Sequence, residues 1–197
     1  MRRRSLLLLL FALVTPAWLA AQAPEPGPQP RTGFWISVAL SGGPKWLSCD
    51  LCTDDFGNGF GGSVALGGTL NQQWLIGADV VGFFPFAGMD EGYDNHSDGF
   101  GAALFTARHY PRLESGLFLM GGLGLGEIDV KQDLLEAKGY VGKVGIGYDL
   151  RAGRNFSITP SVSLVQSFGT ETERAGDVME GSTNFGMLQL GVAATWH

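Results

Sequence analysis

The C-terminal stretch of the chain reads Thr183-Asn-Phe-Gly-Met-Leu-Gln-Leu-Gly-Val-Ala-Ala-Thr-Trp-His197. In an extended strand, one face of this stretch carries apolar side chains: Leu188, Leu190, Val192, Ala194 and Trp196. The opposite face is small or polar: Gln189, Gly191, Ala193 and Thr195. An apolar outer face with a polar inner face is typical of a strand that separates lipid from a wet lumen. The pattern therefore predicts a membrane-spanning β-strand that ends near an aromatic residue.

The N-terminus has the three parts of a secretory signal peptide. Three arginines supply positive charge, a short apolar run follows at Ser5–Val14, and small residues precede the predicted cleavage after Ala21. The run is shorter than the roughly 20 residues of a membrane-spanning helix. Residues 22–32 contain four prolines and are interpreted as an extended linker. We therefore predict a Sec signal peptide at 1–21 and a single domain at 33–197.

The charge of the exported chain argues against a nucleic-acid partner. The sequence holds 13 Lys and Arg against 19 Asp and Glu, and removal of the leader takes away three arginines, which leaves a net charge of −9. After the leader, no run reaches the roughly 18 apolar residues of a transmembrane helix. A membrane protein without such helices must be a closed barrel, because only closure gives every backbone group a partner in lipid.

Eight segments have the alternation and length of barrel strands, most of them reaching roughly 9–11 residues. They are Gly33–Gly42, Gly59–Leu70, Trp74–Phe84, Gly99–Tyr110, Gly116–Val130, Gly139–Arg151, Phe156–Phe168 and Thr183–Trp196. Short and long connections alternate, and the long ones carry most of the acidic residues. This is the topology of an eight-stranded antiparallel up-and-down transmembrane β-barrel, with both termini and the short turns periplasmic and the long loops extracellular. We predict this all-β fold.

Charged residues within the strands are predicted to face the lumen. A lipid-facing Lys at the bilayer midplane would cost about 2–4 kcal/mol, so Lys143 is placed inside, and Asp79 follows by the same argument. The resulting polar network consists of Asp79, Lys143, Asp149 and Arg151. The interior of an eight-stranded barrel is just wide enough for side chains to fill. We interpret the network as structural, with conduction of protons or ions as the alternative.

Other strand residues yield more detailed expectations. Aromatic residues near strand ends predict interface girdles: Trp35, Trp74, Tyr110, Tyr140, Phe156 and Trp196. In the seventh segment, Pro160 lacks an N–H and should interrupt the ladder. In the fourth segment, the alternation does not decide which way Arg108 points.

The whole of residues 33–197 resembles the small outer-membrane β-barrel proteins of the OmpA, OmpX and OmpW type. The resemblance rests on the leader, the eight strands, the acidic loops and the terminal strand. Within that strand, Gln189, Gly191, Ala194 and Trp196 are similar to the C-terminal assembly signal of the family. The resemblance implies insertion into the outer membrane by the barrel assembly machinery. His197 departs from the pattern, since the family usually ends on the aromatic residue itself.

The only cysteines, Cys49 and Cys52, lie close together where the first long loop begins. In an oxidising compartment we predict a local disulfide between them. No further ligands have the spacing of a metal site, and we predict no metal and no cofactor.

Three functions fit a barrel of this kind. The first is a monomeric structural or surface-interaction protein whose acidic loops meet divalent cations or an extracellular partner. The second is a narrow, porin-like channel for small hydrophobic molecules or ions. The third is a lipid-modifying enzyme, which would need a Ser, a His and a carboxylate near one rim. The histidines His96, His109 and His197 have no suitably placed serine. We therefore predict no catalytic residues and no enzymatic activity.

Overall fold

The computed structural model describes residues 31–50, 55–85, 99–130, 135–174, 177–179 and 183–197. These residues form ten strands: β1 (Phe34–Cys49), β2 (Asp55–Asn71), β3 (Trp74–Pro85), β4 (Gly99–His109), β5 (Leu117–Val130), β6 (Leu135–Tyr148), β7 (Leu150–Arg151), β8 (Phe156–Arg174), β9 (Asp177–Met179) and β10 (Thr183–Trp196). Within the described ranges, no helix is long and apolar enough to cross a membrane.

The eight long strands close into an antiparallel barrel. Each pairs with its neighbour along the chain, and β10 pairs with both β8 and β1. The seam between first and last strands runs from Ile36↔Trp196 to Cys49↔Thr183. Strand β7 follows β6 and pairs with β8 in the same sheet, and the short strand β9 also pairs with β8. The predicted eight-stranded barrel is therefore confirmed. We call the end with the short connections after β2, β4 and β7 the turn end, and the opposite end the loop end.

The strands extend further at the loop end than the sequence predicted. Strand β1 continues to Cys49 instead of stopping at Gly42, because Gly43 and Pro44 pair with residues of β2. Strand β8 continues to Arg174 instead of ending at Phe168. Glycine and proline indicate turns in an isolated segment. Inside a closed sheet, however, the neighbouring strand β2 holds Gly43 and Pro44 in a strand, and pairing with β10 resumes at Lys45.

The outer wall of the barrel is apolar all the way round. The strands expose large side chains outward, among them Leu40 (77% exposed), Val80 (60%), Phe105 (63%), Leu123 (66%) and Val144 (60%). Residues one position away along each strand are buried or half-buried, as the period of two requires. A soluble protein rarely exposes a continuous apolar surface of this extent, so the outer wall has the character of a lipid-facing surface.

The interior is layered, and its loop-end half is apolar rather than polar. Buried side chains fill this half: Leu47, Val81, Phe83, Phe100, Ala102, Leu104, Ile128, Ala137, Val141, Val165, Phe185 and Met187. The prediction of a polar inner face therefore fails for the loop end. There, most inward side chains are apolar and pack against one another as in a soluble core, while Ser167, Thr172 and Thr183 are buried polar residues on β8 and β10.

A smaller aromatic cluster closes the turn end of the lumen. Trp35, Tyr110 and Phe118 pack there with Leu75 and Ala65. Trp35 is 1% exposed and Tyr110 is 0% exposed, so neither belongs to the interface girdle that the sequence predicted. Both rings point inward, which places them in the interior and not at the lipid interface.

The remaining girdle aromatics lie on the outer wall, as predicted. Trp74, Tyr140 and Trp196 are 41%, 59% and 44% exposed. The Phe156 ring lies 5.2 Å from that of Trp196. These residues mark the two edges of the apolar wall.

Strand β8 has an interruption at Pro160. Its pairing passes from Gly147↔Ser161 on β6 to Leu150↔Ile158 on β7, and skips Pro160 and Thr159 without a change of register. The missing N–H of proline explains the gap. The gap is the interruption that the sequence predicted. On the other side of the strand, the Asp149 backbone N–H donates to Gly116 O at 2.9 Å and continues the register of β5 and β6.

Candidate functional site

An ion pair crosses the lumen near the middle of the barrel. Lys143 Nζ on β6 lies 2.7 Å from Asp79 Oδ2 on β3, and the two side chains are only 8% and 7% exposed. Strands β4 and β5 separate β3 from β6 around the wall, so the contact spans the interior. Because a buried charge is tolerated only when it is paired, the pair ties two sides of the barrel together.

A small polar cavity lies beside this ion pair. Its volume is about 40 Å³, which leaves room for only a few water molecules. Asp79 and Arg108 line the cavity, and Asp79 Oδ1 and Arg108 Nη1 have no hydrogen-bond partner among the described residues. The other lining residues are hydroxyl-bearing or small, apart from Lys143, Phe118 and Met120. A space of this size cannot hold a continuous column of water through the barrel.

A second polar group surrounds Asp149 at the turn end. The Asp149 carboxylate accepts hydrogen bonds from the Tyr110 hydroxyl and from Thr159 Oγ1, both at 2.7 Å. Thr159 lies 3.2 Å from the Thr195 hydroxyl, which lies 2.9 Å from Ser37 Oγ. The chain of contacts runs from the β4–β5 turn through β8 and β10 to β1. It therefore crosses the closing seam of the barrel.

The residue before the barrel, Arg31, covers this group from outside. Its guanidinium lies 3.6 Å from the centre of the Tyr110 ring and donates to Ser115 O at 3.0 Å. Burial, and then the neighbouring Asp149 carboxylate, raises the pKa of Tyr110, so its hydroxyl stays a donor. The end of the segment that the sequence assigned to the linker thus contacts the barrel mouth.

The last residue, His197, folds into the same mouth. Its backbone N–H donates to Asn155 O at 3.0 Å, and its Nε2 lies 3.8 Å from Asp149 Oδ2. Burial outweighs the attraction of Asp149 and lowers the pKa of His197 to about 4. At neutral pH the imidazole is therefore uncharged, and at 3.8 Å its contact with Asp149 is not a hydrogen bond.

Arg108 points into the lumen, which settles the phase of β4. Its guanidinium lies 4.3 Å from the Trp35 ring and 5.3 Å from the Phe118 ring. Such cation–π contacts hold the charge where no carboxylate contacts it directly. Phe105 on the opposite face is 63% exposed to the outer wall.

The structure divides the predicted lumen network into two groups. It brings Asp79 and Lys143 together and places Asp149 with Tyr110 and Thr159. Arg151 is half-buried on β7, opposite Ser157 in the ladder. Tyr110, Thr195 and His197 were not predicted as site residues, although the inward phase of β10 already indicated Thr195.

The predicted assembly-signal residues all lie in β10. Gln189 is buried and accepts a hydrogen bond from Ser163 Oγ at 3.2 Å. Gly191 is opposite Ser41, and Ala194 is opposite Val38 on β1. Trp196 stands at the outer edge of the seam. Of the two cysteines, Cys52 lies outside the described residues and the Cys49 side chain is not described, so the disulfide stays a prediction.

The described histidines do not form a triad. The His109 ring packs on Trp74, with centres 4.4 Å apart, at the turn end of the outer wall. His197 faces Asp149 in the mouth, and Ser157 Oγ on the neighbouring strand is buried without a hydrogen-bond partner among the described residues. His96 lies outside the described residues.

Comparison with solved structures shows which fold this is. The chain is similar to Ail, the attachment invasion locus protein of Yersinia pestis, with 13% identity over 84% of this chain and 99% of that chain, at a TM-score of 0.55. It is also similar to Neisserial surface protein A, with 14% identity over 82% of this chain and 96% of that chain, at 0.51. The structure of Ail in complex with the heparin analogue sucrose octasulfate is 15% identical over 83% of this chain and 99% of that chain, at a TM-score of 0.50.

These neighbours are small outer-membrane β-barrels, and the resemblance that the sequence indicated is confirmed at the level of the fold. No protein-family model matches the chain, and no curated protein sequence matches it.

Proposed function

We propose that this chain is a monomeric integral outer-membrane β-barrel protein with a structural and surface-interaction role. The single observation that carries the proposal is the combination of an apolar outer wall with a filled interior. Apolar side chains occupy the loop-end half of the lumen, an ion pair crosses the middle, and aromatic rings close the turn end. Such a barrel is held in lipid by its wall and offers no open path through its centre.

The proposal includes an orientation. We place both termini and the short turns in the periplasm and the long connections outside the cell. In a barrel with an even number of strands both termini lie at one rim, and short turns are typical of the periplasmic rim. We also propose that the barrel assembly machinery recognises β10 through Gln189, Gly191, Ala194 and Trp196. The pairing of β10 with β1 supports this, since that pairing closes the barrel.

The acidic loop end supports a partner that carries positive charge. Asp129, Glu136 and Glu173 stand directly opposite one another on three adjacent strands, and like charges in this arrangement repel. Lys138 Nζ relieves part of the repulsion, 2.6 Å from Glu136 Oε1. We propose that divalent cations or a basic extracellular partner supply the rest. The sulfated ligand of Ail is a polyanion, and the acidic strand ends here argue against a similar ligand.

A narrow channel is the second candidate. The apolar lining of the loop-end half is the observation that favours it, because small hydrophobic molecules would find a compatible surface there. The channel would require Phe83, Phe100 and Phe185 to separate, since they pack together in the interior. We propose no enzymatic activity, because among the described residues neither His197 Nε2 nor Ser157 Oγ has a hydrogen-bond partner, so the two are not joined as base and nucleophile.

Two measurements test the proposal. The folded protein, purified in detergent, should migrate differently on a gel before and after boiling, and unchanged migration would contradict a closed barrel. Reconstituted in planar bilayers, the barrel should remain electrically silent over many insertions. Discrete conductance steps from wild-type protein would instead favour the channel.

A further inference from the structure

The outer wall carries a shallow apolar groove in its turn-end half. The groove has a volume of about 720 Å³ and crosses β1, β5, β6, β8 and β10. Its sides are exposed aliphatic side chains: Leu40, Leu117, Ile146, Val162, Leu190 and Val192.

The floor of the groove is strand backbone at inward-facing positions. Gly147, Ser161 and Gly191 border it together with Pro160, where the β8 ladder is interrupted. At Gly147 a side chain could not replace the hydrogen, because a Cβ would meet the Phe118 ring inside the barrel. The side chains at these three positions turn towards the lumen, so the outward aliphatic residues on either side stand above strand backbone, as the period of two requires.

The depth of the groove corresponds to one leaflet of a bilayer. Pro160 is four residues from the turn-end start of β8, which is about 13 Å along a strand and about 9 Å in depth at a tilt of about 45°. Half of a hydrocarbon core is about 15 Å thick. Trp196 and Phe156 lie at the turn-end edge of the same strands, where aromatic residues mark the headgroup level.

Two arginines lie in turns at the turn end of strands that border the groove. Arg112 lies in the β4–β5 turn, just before the groove residue Leu117, and Arg154 lies in the turn that precedes β8. The two turns are neighbours, since Asp149 N donates to Gly116 O. Both arginine residues are exposed, and neither has an ion-pair partner in the part of the chain that the structure describes. A guanidinium matches the geometry of a phosphate group, with two parallel N–H donors.

We infer that this surface binds one molecule of an anionic phospholipid. An acyl chain occupies the groove, and the phosphate lies between Arg112 and Arg154 at headgroup level. The apolar recess and the unpaired arginines are independent observations, and a phospholipid is the chemistry that satisfies both. This inference rests on the proposed function, because it requires the outer wall to face lipid.

Native mass spectrometry of the full folded protein in a neutral detergent tests the inference. Phosphatidylglycerol and phosphatidylcholine with identical acyl chains are added in turn. Wild-type protein should retain phosphatidylglycerol in preference. The double variant R112Q/R154Q should bind it about 30-fold more weakly, because each arginine near a lipid phosphate contributes about a factor of five. The matched control is K138Q, which removes an exposed cation at the opposite end and should leave the preference unchanged.

The groove has its own variant pair. Val192→Phe adds a ring to an exposed groove residue and should weaken the binding of both lipids. Val80→Phe makes the same change at an exposed site on β3, which does not line the groove, and should have no effect. Equal effects of the two substitutions would overturn the inference in favour of a non-specific lipid coat. A preference of R112Q/R154Q for phosphatidylglycerol as strong as that of wild-type protein would also overturn the inference.

Two controls keep the result decisive. Soluble glycerol phosphate should not displace the lipid at equal concentration, whereas displacement would point to a simple phosphate site and overturn the proposed lipid. If the arginine variants fail to fold, the preference of wild-type protein for phosphatidylglycerol is measured at increasing salt concentration. Salt should reduce this preference. A preference that does not depend on salt would contradict a role for the arginines. Boiling-dependent migration is checked first, so that failure of the barrel is distinguished from failure of the lipid site.

Discussion

At the residue scale, the interior depends on charges that have specific partners. Asp79 and Lys143 neutralise each other across the lumen, and Asp149 is satisfied by two hydroxyl donors. Arg108 and Arg31 rest on aromatic rings. Each arrangement meets the desolvation cost of a buried polar group in a different way. Together they fix the relative positions of strands that are far apart in the chain.

The central ion pair should show strong coupling in a double-mutant cycle. Lys143→Met leaves the Asp79 carboxylate buried without a counter-charge, which should cost about 3–5 kcal/mol of the free energy of unfolding. Asp79→Leu should cost a similar amount. The double variant should cost less than either single change, because no unpaired charge remains. The measurement is urea unfolding in lipid vesicles by tryptophan fluorescence; additive effects would contradict a direct pair.

His197 should make the barrel less stable in mild acid. Its pKa in the folded protein, about 4, lies below the ordinary value of 6.5, so the folded state binds fewer protons than the unfolded state. The uncharged His197 side chain therefore makes its full contribution to the free energy of unfolding above pH 6.5. That contribution, at most about 3 kcal/mol, is lost as the pH falls towards 4. Asp149 favours the protonated imidazole, whereas Arg31, Arg108 and Arg151 oppose it.

The His197 effect is measured as the difference in unfolding midpoint between wild-type protein and His197→Asn at several pH values. Carboxylates that also titrate near pH 4 are common to both proteins and cancel in this difference. The wild-type protein should lose more stability than the variant between pH 6.5 and 4. Parallel curves for the two proteins would show that the imidazole is not buried in the mouth.

At the scale of the strands, alternation predicted most of the outer wall but not the contents of the lumen. Period-two patterns placed Asp79, Lys143 and Ser163 inward and Val80, Val144 and Leu164 outward, as the structure has them. The signal works because lipid excludes charge from the outer face. The alternation places no comparable constraint on the inner face, where an apolar core and a polar network are both stable. The sequence therefore did not predict the apolar loop-end half of the interior.

The misplaced aromatics have a related cause. Trp35 and Tyr110 stand near strand ends, and the sequence cannot separate a ring in the interface from a ring that closes the mouth. Their true environment depends on Arg108 and Arg31, which pack on them from other parts of the chain. The contacts of Arg31 and His197 with the mouth were likewise unpredictable, since residues outside the strands have no alternation to follow.

The closing seam should make assembly sensitive to Trp196. The residue lies at the end of β10, pairs opposite Ile36 on β1 and contacts Phe156. We expect Trp196→Ala to lower the amount of folded barrel in cells several-fold, with little change in the unfolding free energy of the purified barrel. Trp74→Ala is the matched control, because Trp74 is an equally exposed rim tryptophan outside the seam. Equal losses for both variants would contradict a specific assembly role.

At the scale of the whole molecule, the two ends of the barrel differ in charge and in chemistry. At the turn end, the described cations are all arginines: Arg31, Arg108, Arg112, Arg151 and Arg154. At the loop end, exposed carboxylates of Glu127, Asp129 and Glu171 stand on the outer faces of β5 and β8. An asymmetry of this kind gives the barrel two different surfaces, one suited to anionic lipid and the other to cations.

This asymmetry leads to a test of orientation that uses the arginines themselves. Arg174 ends β8 at the loop end, whereas Arg154 lies in an exposed turn at the other end. Trypsin added to intact cells should therefore cleave after Arg174 and leave Arg154 uncut, because the outer membrane shields the periplasmic turns. After the outer membrane is permeabilised, cleavage after Arg154 should appear as a second pair of fragments, identified by mass. Introducing Arg154→Gln should remove that second cleavage and leave the first. Cleavage after Arg154 alone on intact cells would invert the orientation, and with it the leaflet in which the groove and its two arginines lie.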